Sequence, residues 1–309
     1  MLPLAGGLYL GWALGANNAA NVFGTAVAAR IITFRKAAVL CAAFVVLGAV
    51  LQGQEGIKTL SGLMDYTIVT LLIVSLSAAF TATLMTIFSL PISTSQALVG
   101  AIAGLGLATR NMYWGGMLKV VVCWVATPIG ALVFSLAIYR LLSALLKAFP
   151  MSILTRDKIL WGGLILVGIY GSYALGANNV ANATGIFSGQ IPGVSDFHLT
   201  LFGGLAIALG VLTYSKRVML SVGEQILRLN AFTAFVAVAS TAVTVHIFAF
   251  VGVPVSASQA IVGAIMGIGF MHGMYQINVR VVRNIAVGWL LTPLISLILS
   301  AAGYAIFVH

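Results

Sequence analysis

Long apolar segments separated by short polar connections dominate the chain. Ten segments consist almost entirely of apolar residues. They cover residues 3–28, 37–53, 66–88, 92–109, 113–140, 159–183, 198–213, 231–251, 254–272 and 281–308. Most of them approach the roughly 20 residues that a helix needs to cross a bilayer, whereas a lipid-spanning barrel would need alternating stretches of about ten residues. The pattern therefore predicts an all-α polytopic membrane protein.

The composition excludes a water-soluble globular protein. Hydrophobic residues make up 61% of the 309 residues and charged residues 6%, whereas soluble domains carry roughly 25% charged residues. The net charge of +10 comes from Lys and Arg in short connections, which indicates a topology signal and not a nucleic-acid-binding face. Arg30 is the first basic residue, so we expect the first segment to be a retained span and not a signal peptide. Cys41 and Cys123 lie in apolar runs and are expected to be small core residues without a disulfide.

The uneven distribution of basic residues orients the predicted spans. The odd-numbered connections contain 12 of the 15 Lys and Arg residues. By the positive-inside rule these connections are cytoplasmic, which places both termini outside the cell membrane (plasma or inner membrane). The widest polar gap divides the chain into an N-terminal membrane repeat (1–146), a cytoplasmic linker (147–158) and a C-terminal membrane repeat (159–309).

Three motifs of the first half return in the second half in the same order. The sequence GANNAANV at 15–22 returns as GANNVANA at 176–183, and LPISTSQALVGA at 90–101 returns as VPVSASQAIVGA at 253–264. A Trp-x-x-Thr-Pro motif occurs at Trp124 and again at Trp289. With five segments in each half, the second copy enters the membrane from the opposite side. The halves are therefore predicted to be inverted-topology repeats with broken or re-entrant helices at the midplane, an architecture typical of secondary transporters.

The first repeated motif places amides in an apolar segment, where unpaired polar groups are costly. Asn17 and Asn21 share a helical face with Asn18 beside them, and Thr25 extends this face by one turn. Amide oxygens can coordinate a cation, and hydrogen bonding between helices is the alternative role. The duplication of the motif favours a binding role. The candidate cation ligands are Asn17, Asn18, Asn21, Asn178, Asn179 and Asn182.

The second repeated motif combines proline with hydroxyl groups. Proline is favoured in the first helical turn and a nearby Ser or Thr caps free N–H groups, so Pro91 and Pro254 indicate helix starts whose dipoles attract an anion. A plain helix cap is the alternative. The candidate substrate ligands are Thr25, Ser93, Thr94, Ser95, Gln96, Ser256, Ser258 and Gln259. Because neither motif holds a charged side chain, a bound anion would need helix N-termini, hydroxyls and amides, with a cation for countercharge.

Other polar residues carry less functional signal. Glu55, at the end of the second segment, is a candidate gate or coupling residue, and His246, alone in an apolar segment, favours hydrogen-bonded packing over a proton relay. No Ser-His-Asp, Cys-His or HExxH arrangement and no ATPase phosphate loop occurs in the sequence. We therefore expect neither an enzyme nor a primary pump, and no resident cofactor.

Both motifs resemble signatures of the inorganic phosphate transporter (PiT) family. Its members carry a duplicated GANDVANA-like signature and a duplicated P-[IV]-S-T-[ST]-H-like signature in inverted halves, and this chain has GANNAANV, GANNVANA, PISTSQA and PVSASQA. The run FGTAV at 23–27 also fits the family's FGTSV-like continuation. The resemblance covers nearly the whole chain. It implies a symporter that couples oxyanion uptake to Na⁺, with H⁺ as the alternative cation, working by alternating access and usually as a homodimer.

Two departures from the signatures leave the substrate open. Asn18 and Asn179 stand where the family has aspartate, and Gln96 and Gln259 stand where it has histidine. A carboxylate would accept the hydrogen bond that HPO₄²⁻ can donate and sulfate cannot, so its absence makes sulfate or another tetrahedral oxyanion the alternative to phosphate. A channel is a third hypothesis, but the Asn-Pro-Ala signature of water and glycerol pores is absent. The sequence thus predicts a cation-coupled phosphate transporter in the lipid bilayer.

Overall fold

The computed structural model describes residues 2–87, 92–222, 230–272 and 279–308, and in these ranges it contains helices and no strand. The first half contributes α1 (Leu2–Asn18), α2 (Ala20–Ala28), α3 (Phe34–Gln52), α4 (Gln54–Ser61), α5 (Ile68–Ile87), α6 (Thr94–Thr109) and α7 (Trp114–Ala148). The second half contributes α8 (Ile153–Thr184), a 3₁₀ turn (Gly185–Phe187), α9 (Asp196–Val222), α10 (Ala231–Val251), α11 (Ala257–His272) and α12 (Val279–Phe307). The all-α prediction is confirmed.

Helical structure covers each of the ten predicted apolar segments, with three differences at their boundaries. The first segment is interrupted at Ala19, so α1 and α2 replace a single helix. α4 forms in a stretch predicted as a connection, because Ile57 and Leu60 bury one face of this short helix. The linker predicted at 147–158 is largely helical, since only residues 149–152 separate α7 from α8. Its charged residues lie at helix ends, where they do not interrupt the helices.

Seven helices among the described residues are long and apolar enough to cross a membrane, namely α3, α5, α7, α8, α9, α10 and α12. α6 and α11 have 16 residues each. At 1.5 Å per residue they are about 24 Å long, which is shorter than the roughly 30 Å of bilayer hydrocarbon. The protein is therefore an integral multi-pass membrane protein, and the helices that carry the second repeated motif are the short ones.

The two halves of the chain interlock. α1 lies along α9, and α8, the repeat equivalent of α1, lies along α3. α6 lies along α12 and its equivalent α11 lies along α7. Each pair joins a helix of the first half to a helix of the second, and both large apolar clusters contain buried residues from both halves. The inverted repeats therefore share their core.

Close backbone contacts fix the pairs that contain the short helices. Pro128 and Pro293 lie inside α7 and α12, where a proline removes a backbone hydrogen bond and bends the helix. Gly100 of α6 lies against the backbone of Pro293, and Gly263 of α11 lies against that of Pro128, so closely that a Cβ atom would not fit. The prolines of the third repeated motif thus shape the surfaces on which α6 and α11 rest.

Candidate functional site

The starts of α6 and α11 meet inside the protein through reciprocal hydrogen bonds. The Ser95 hydroxyl donates to the Val255 carbonyl oxygen at 3.2 Å, and the Ser258 hydroxyl donates to the Ile92 carbonyl oxygen at 3.2 Å. These two bonds are equivalent under the repeat symmetry. The two Pro-Ser motifs, which are far apart along the chain, therefore form one structural unit. Pro91 lies outside the described residues.

Both short helices are capped by the serine that the sequence places before them. The Ser93 hydroxyl oxygen accepts from the Gln96 N–H at 3.3 Å, and the Ser256 hydroxyl oxygen accepts from the Gln259 N–H at 3.3 Å. The alternative interpretation of these serines as helix caps is therefore correct. A cap uses only the oxygen as an acceptor, and neither hydroxyl donates to a protein group among the described residues.

The second asparagine motif lies beside these helix starts. Asn178 binds the segment before α11 with both ends of its amide: its Nδ2 donates to the Val253 carbonyl oxygen (3.0 Å) and its Oδ1 accepts from the Val255 N–H (2.8 Å). Asn182 Nδ2 donates to the Ser95 hydroxyl oxygen (2.8 Å) and to Asn179 Oδ1 (3.1 Å). The motif of α8 is therefore bonded to α6 and to the segment before α11. Asn178 also has the interhelical bonding role that stood as the alternative for these amides.

The first asparagine motif is less connected. Asn21 Nδ2 donates to Asn18 Oδ1 at 3.2 Å, which is the equivalent of the bond between Asn182 and Asn179. Asn17 is half-buried, and Thr25 on the next turn is also half-buried. No hydrogen bond joins these four side chains to α11 in the part of the chain that the structure describes.

More than half of the unpaired buried polar atoms among the described residues belong to candidate ligands. Among the described residues, nine buried side-chain nitrogen or oxygen atoms have no hydrogen-bond partner, and five of them belong to candidate ligands. These five are Thr25 Oγ1, Gln96 Oε1, Asn179 Nδ2, Asn182 Oδ1 and Gln259 Oε1. An unsatisfied buried polar group costs about 1–3 kcal/mol. Such a concentration is the arrangement expected where a polar ligand completes the hydrogen bonding.

Sequence reasoning missed one symmetric pair of polar groups. The indole N–H groups of Trp124 and Trp289 are also buried and unpaired. These residues occupy equivalent positions on α7 and α12, one turn before the helix-bending prolines. The repetition of these tryptophans is visible in the sequence. The sequence does not reveal, however, whether the indole N–H of a tryptophan in an apolar segment has a hydrogen-bond partner.

The electrostatics of the site are neutral. No group of three or more His, Cys, Asp or Glu side chains comes together among the described residues. Glu55 pairs with Lys58 at 2.6 Å, with both side chains exposed. The hydrogen bond and charge of the Glu55 carboxylate raise the pKa of the Lys58 ammonium above its ordinary value. A ligand in the motifs therefore meets helix dipoles, hydroxyls and amides.

Two other expectations from the sequence can be compared with the structure. His246 lies between Gln52 Oε1 (2.7 Å) and the Tyr170 hydroxyl (2.8 Å), so it is the hydrogen-bonded packing residue that the sequence predicts. Cys41 and Cys123 are buried and free, as expected of small core residues.

The chain is similar to known proteins in both sequence and fold. A model of the Phosphate transporter family matches the chain twice, at residues 14–162 and 154–300. The protein named "Putative phosphate permease MJ0630" of Methanocaldococcus jannaschii is 32% identical over 96% of this chain and 94% of its own length. Sulfate permease CysP of Bacillus subtilis is 32% identical over 97% of this chain and 88% of its own.

A solved structure shares the whole architecture. The protein described as "The sodium-dependent phosphate transporter" superposes with a TM-score of 0.88 at 26% sequence identity, covering 100% of this chain and 99% of that chain. The double match of the family model agrees with the internal duplication, and the family consists of transporters and not enzymes. On this evidence the chain belongs to the Phosphate transporter family.

Proposed function

We propose that the protein is a cation-coupled symporter that moves inorganic phosphate across the membrane by alternating access. The observation that carries this proposal is the reciprocal meeting of two helix starts, where the buried Oε1 atoms of Gln96 and Gln259 lack partners beside further unpaired atoms of Asn179 and Asn182. An anion and a cation bound there would satisfy these atoms. The membership of the chain in a phosphate transporter family supports phosphate as the anion.

The anion belongs at the starts of α6 and α11. Free N–H groups and the positive end of the helix dipole favour an anion at a helix N-terminus. The hydroxyl hydrogens of Ser93 and Ser256, and the Thr94 side chain, add donors at the same place. Since α6 and α11 approach from the two inverted halves, a tetrahedral oxyanion between them would be bound from opposite sides.

The cation belongs at the asparagine motifs. The first motif spans the junction of α1 and α2, and the second lies at the C-terminal end of α8, which ends at Thr184. The dipole is negative at that end, and carbonyl oxygens at broken helices are known Na⁺ ligands in transporters. Asn182 Oδ1 is buried and free to coordinate. The solved relative described as sodium-dependent supports Na⁺ as the coupling ion, with H⁺ as the alternative.

The binding of the anion and of the cation would be coupled, because the two motifs contain no charged side chains. The protein supplies no carboxylate to balance a cation and no Lys or Arg to balance an anion within the motifs. Each ion therefore lowers the electrostatic cost of binding the other, and this mutual effect must be reciprocal in the two affinities. The inverted repeats then expose the site to either side in turn.

The topology and assembly complete the proposal. The odd-numbered connections would be cytoplasmic and both termini outside the cell membrane, because of the bias in Lys and Arg. The two membrane repeats, 1–146 and 159–309, would be related by an axis in the membrane plane, joined by the connection between α7 and α8. A homodimer is the assembly that the family resemblance suggests.

Purified protein in proteoliposomes tests the function. We expect phosphate uptake driven by an inward Na⁺ gradient and lost when Na⁺ is replaced by a large inert cation. Isotope binding to detergent-solubilised protein should show phosphate affinity that rises with Na⁺ concentration. Saturable uptake that is indifferent to every imposed cation gradient would contradict coupling, and non-saturable flux would indicate a channel.

Sulfate is the second candidate substrate, because a sulfate permease matches the chain over nearly its full length. A competition experiment distinguishes phosphate from sulfate as the substrate. The phosphate assignment is supported if the uptake of labelled phosphate is inhibited by unlabelled phosphate but not by sulfate. Sulfate uptake that phosphate fails to inhibit would replace it.

A further inference from the structure

Two buried glutamines occupy equivalent positions in the candidate site. Gln96 is the third residue of α6 and Gln259 the third residue of α11. Their exposed fractions are 5% and 4%. The backbone N–H of each is bound by the capping serine, but the side-chain carbonyl oxygen Oε1 of each has no partner. The same atom is unsatisfied in both repeats.

A carbonyl oxygen can be satisfied by a cation or by a donated hydrogen. Both glutamines lie in the first turn of their helix, where free N–H groups and the helix dipole create a positive potential. This potential opposes a cation and favours an anion. The partner that fits both the positive potential and the free acceptor is an anion that carries a hydrogen of its own.

We infer that Gln96 and Gln259 determine specificity by accepting a hydrogen bond from the P–OH group of a protonated oxyanion. Phosphate carries at least one such hydrogen at neutral pH, and sulfate carries none. Sulfate in the same site would place its oxygens against the two glutamine carbonyl oxygens. The carbonyl oxygens would then have no hydrogen-bond donor. The glutamines would thus supply the acceptor function that the missing carboxylates do not. This inference rests on the proposed function, because it concerns the anion of the same site.

The wild-type protein alone provides a first test, through four oxyanions of similar shape. Phosphate and arsenate carry a hydrogen at neutral pH, whereas sulfate and monofluorophosphate do not. Equilibrium binding to purified protein in saturating Na⁺ should show affinities for phosphate and arsenate about tenfold or more above those for the other two. Monofluorophosphate is the critical ligand, because it differs from HPO₄²⁻ mainly by fluorine in place of the hydroxyl.

Substitution then tests the two residues. Gln96→Met, Gln259→Met and the double variant keep the side-chain length and remove the acceptor. We expect phosphate affinity to fall and sulfate affinity to hold or rise, so that the preference shrinks severalfold in each single variant and is nearly lost in the double one. Gln52→Met is the matched control, because Gln52 is half-buried in α3, bonds to His246 and lies outside both motifs. It should leave the preference unchanged.

The outcomes separate this inference from the function on which it rests. If the wild-type protein binds none of the four oxyanions, the proposed function fails and this inference fails with it. If it binds phosphate and monofluorophosphate equally, the inference is wrong while phosphate transport stands. If the double variant loses affinity for phosphate and sulfate in the same proportion, the glutamines act as donors or as packing residues, and the inference is again wrong.

Discussion

The two asparagine motifs are nearly identical in sequence and differ in their surroundings. In the second motif, Asn178 and Asn182 are each 1% exposed and bond to the segment before α11 and to Ser95 of α6. In the first motif, Asn17 is half-buried, and Asn21 bonds only within its own motif. The bond between Asn182 and Ser95 has no counterpart between Asn21 and Ser258, although all four residues are described.

This difference shows how an inverted repeat can serve a transporter. If both half-sites had the same surroundings, the site would be equally closed or equally open to the two sides of the membrane. Among the described residues, the second motif bonds to α6 and to the segment before α11, and the first motif has no such bond. In the proposed mechanism, exchange of the two arrangements between the repeats would give a second state that faces the opposite way, as alternating access requires.

The largest expected effect comes from the amide that binds the backbone before α11. Asn178→Ala leaves the buried Val253 carbonyl and Val255 N–H without partners, each at a cost of about 1–3 kcal/mol. Asn17→Ala, the equivalent change in the other motif, removes no hydrogen bond that the structure records and should cost much less. Thermal unfolding in detergent measures both variants. Equal destabilisation of the two would show that the half-sites do not differ in this way.

The second largest effect is expected in the rate of backbone hydrogen exchange. Backbone amides of α2, after the first motif, should exchange hydrogen faster than those of residues 176–187, because the first motif has fewer bonds that hold it. Phosphate and Na⁺ together should slow exchange in α2 more than in the second motif, since the looser half-site has more order to gain. Exchange followed by mass spectrometry checks this. Faster exchange in residues 176–187 would show that the second motif is not the more firmly held of the two.

Much of this fold could be predicted from local patterns. The apolar segments predicted where helices form, seven of them in the described part of the chain long enough to span a membrane, and the repeated motifs predicted the inverted duplication and both helix caps. The interruption at Ala19 and the pairing of α6 with α12 were not predictable, because nothing in the local sequence distinguishes packing within a half from packing between halves. The asymmetry of the half-sites was hidden for a similar reason. Two motifs with nearly the same letters predict the same surroundings, and only the three-dimensional contacts separate them.

A smaller effect is expected at the capping serines, where two roles overlap. Ser93→Ala and Ser256→Ala each remove a donor to the anion, which should weaken phosphate binding by about 0.5–1.5 kcal/mol for a neutral hydrogen bond and by more for a charge-assisted one. They also remove a helix cap. Ser93→Gly and Ser256→Gly separate the roles, since glycine caps nearly as well as serine but has no hydroxyl. If the glycine variants bind phosphate with wild-type affinity, the hydroxyls are caps only.

The smallest effect is expected at Glu55, the carboxylate that the sequence offered as a gate. Its backbone lies against Gly252, next to the segment that Asn178 binds, but its side chain pairs with Lys58 on the surface. Exposed ion pairs contribute little to stability, and this carboxylate makes no bond to either motif. Glu55→Gln should therefore leave both the phosphate affinity and its dependence on Na⁺ unchanged, as measured by isotope binding across a Na⁺ series. Loss of the Na⁺ dependence in this variant would mean that a surface carboxylate next to the segment that Asn178 binds supplies the cation coupling, and the neutral amides would then not suffice.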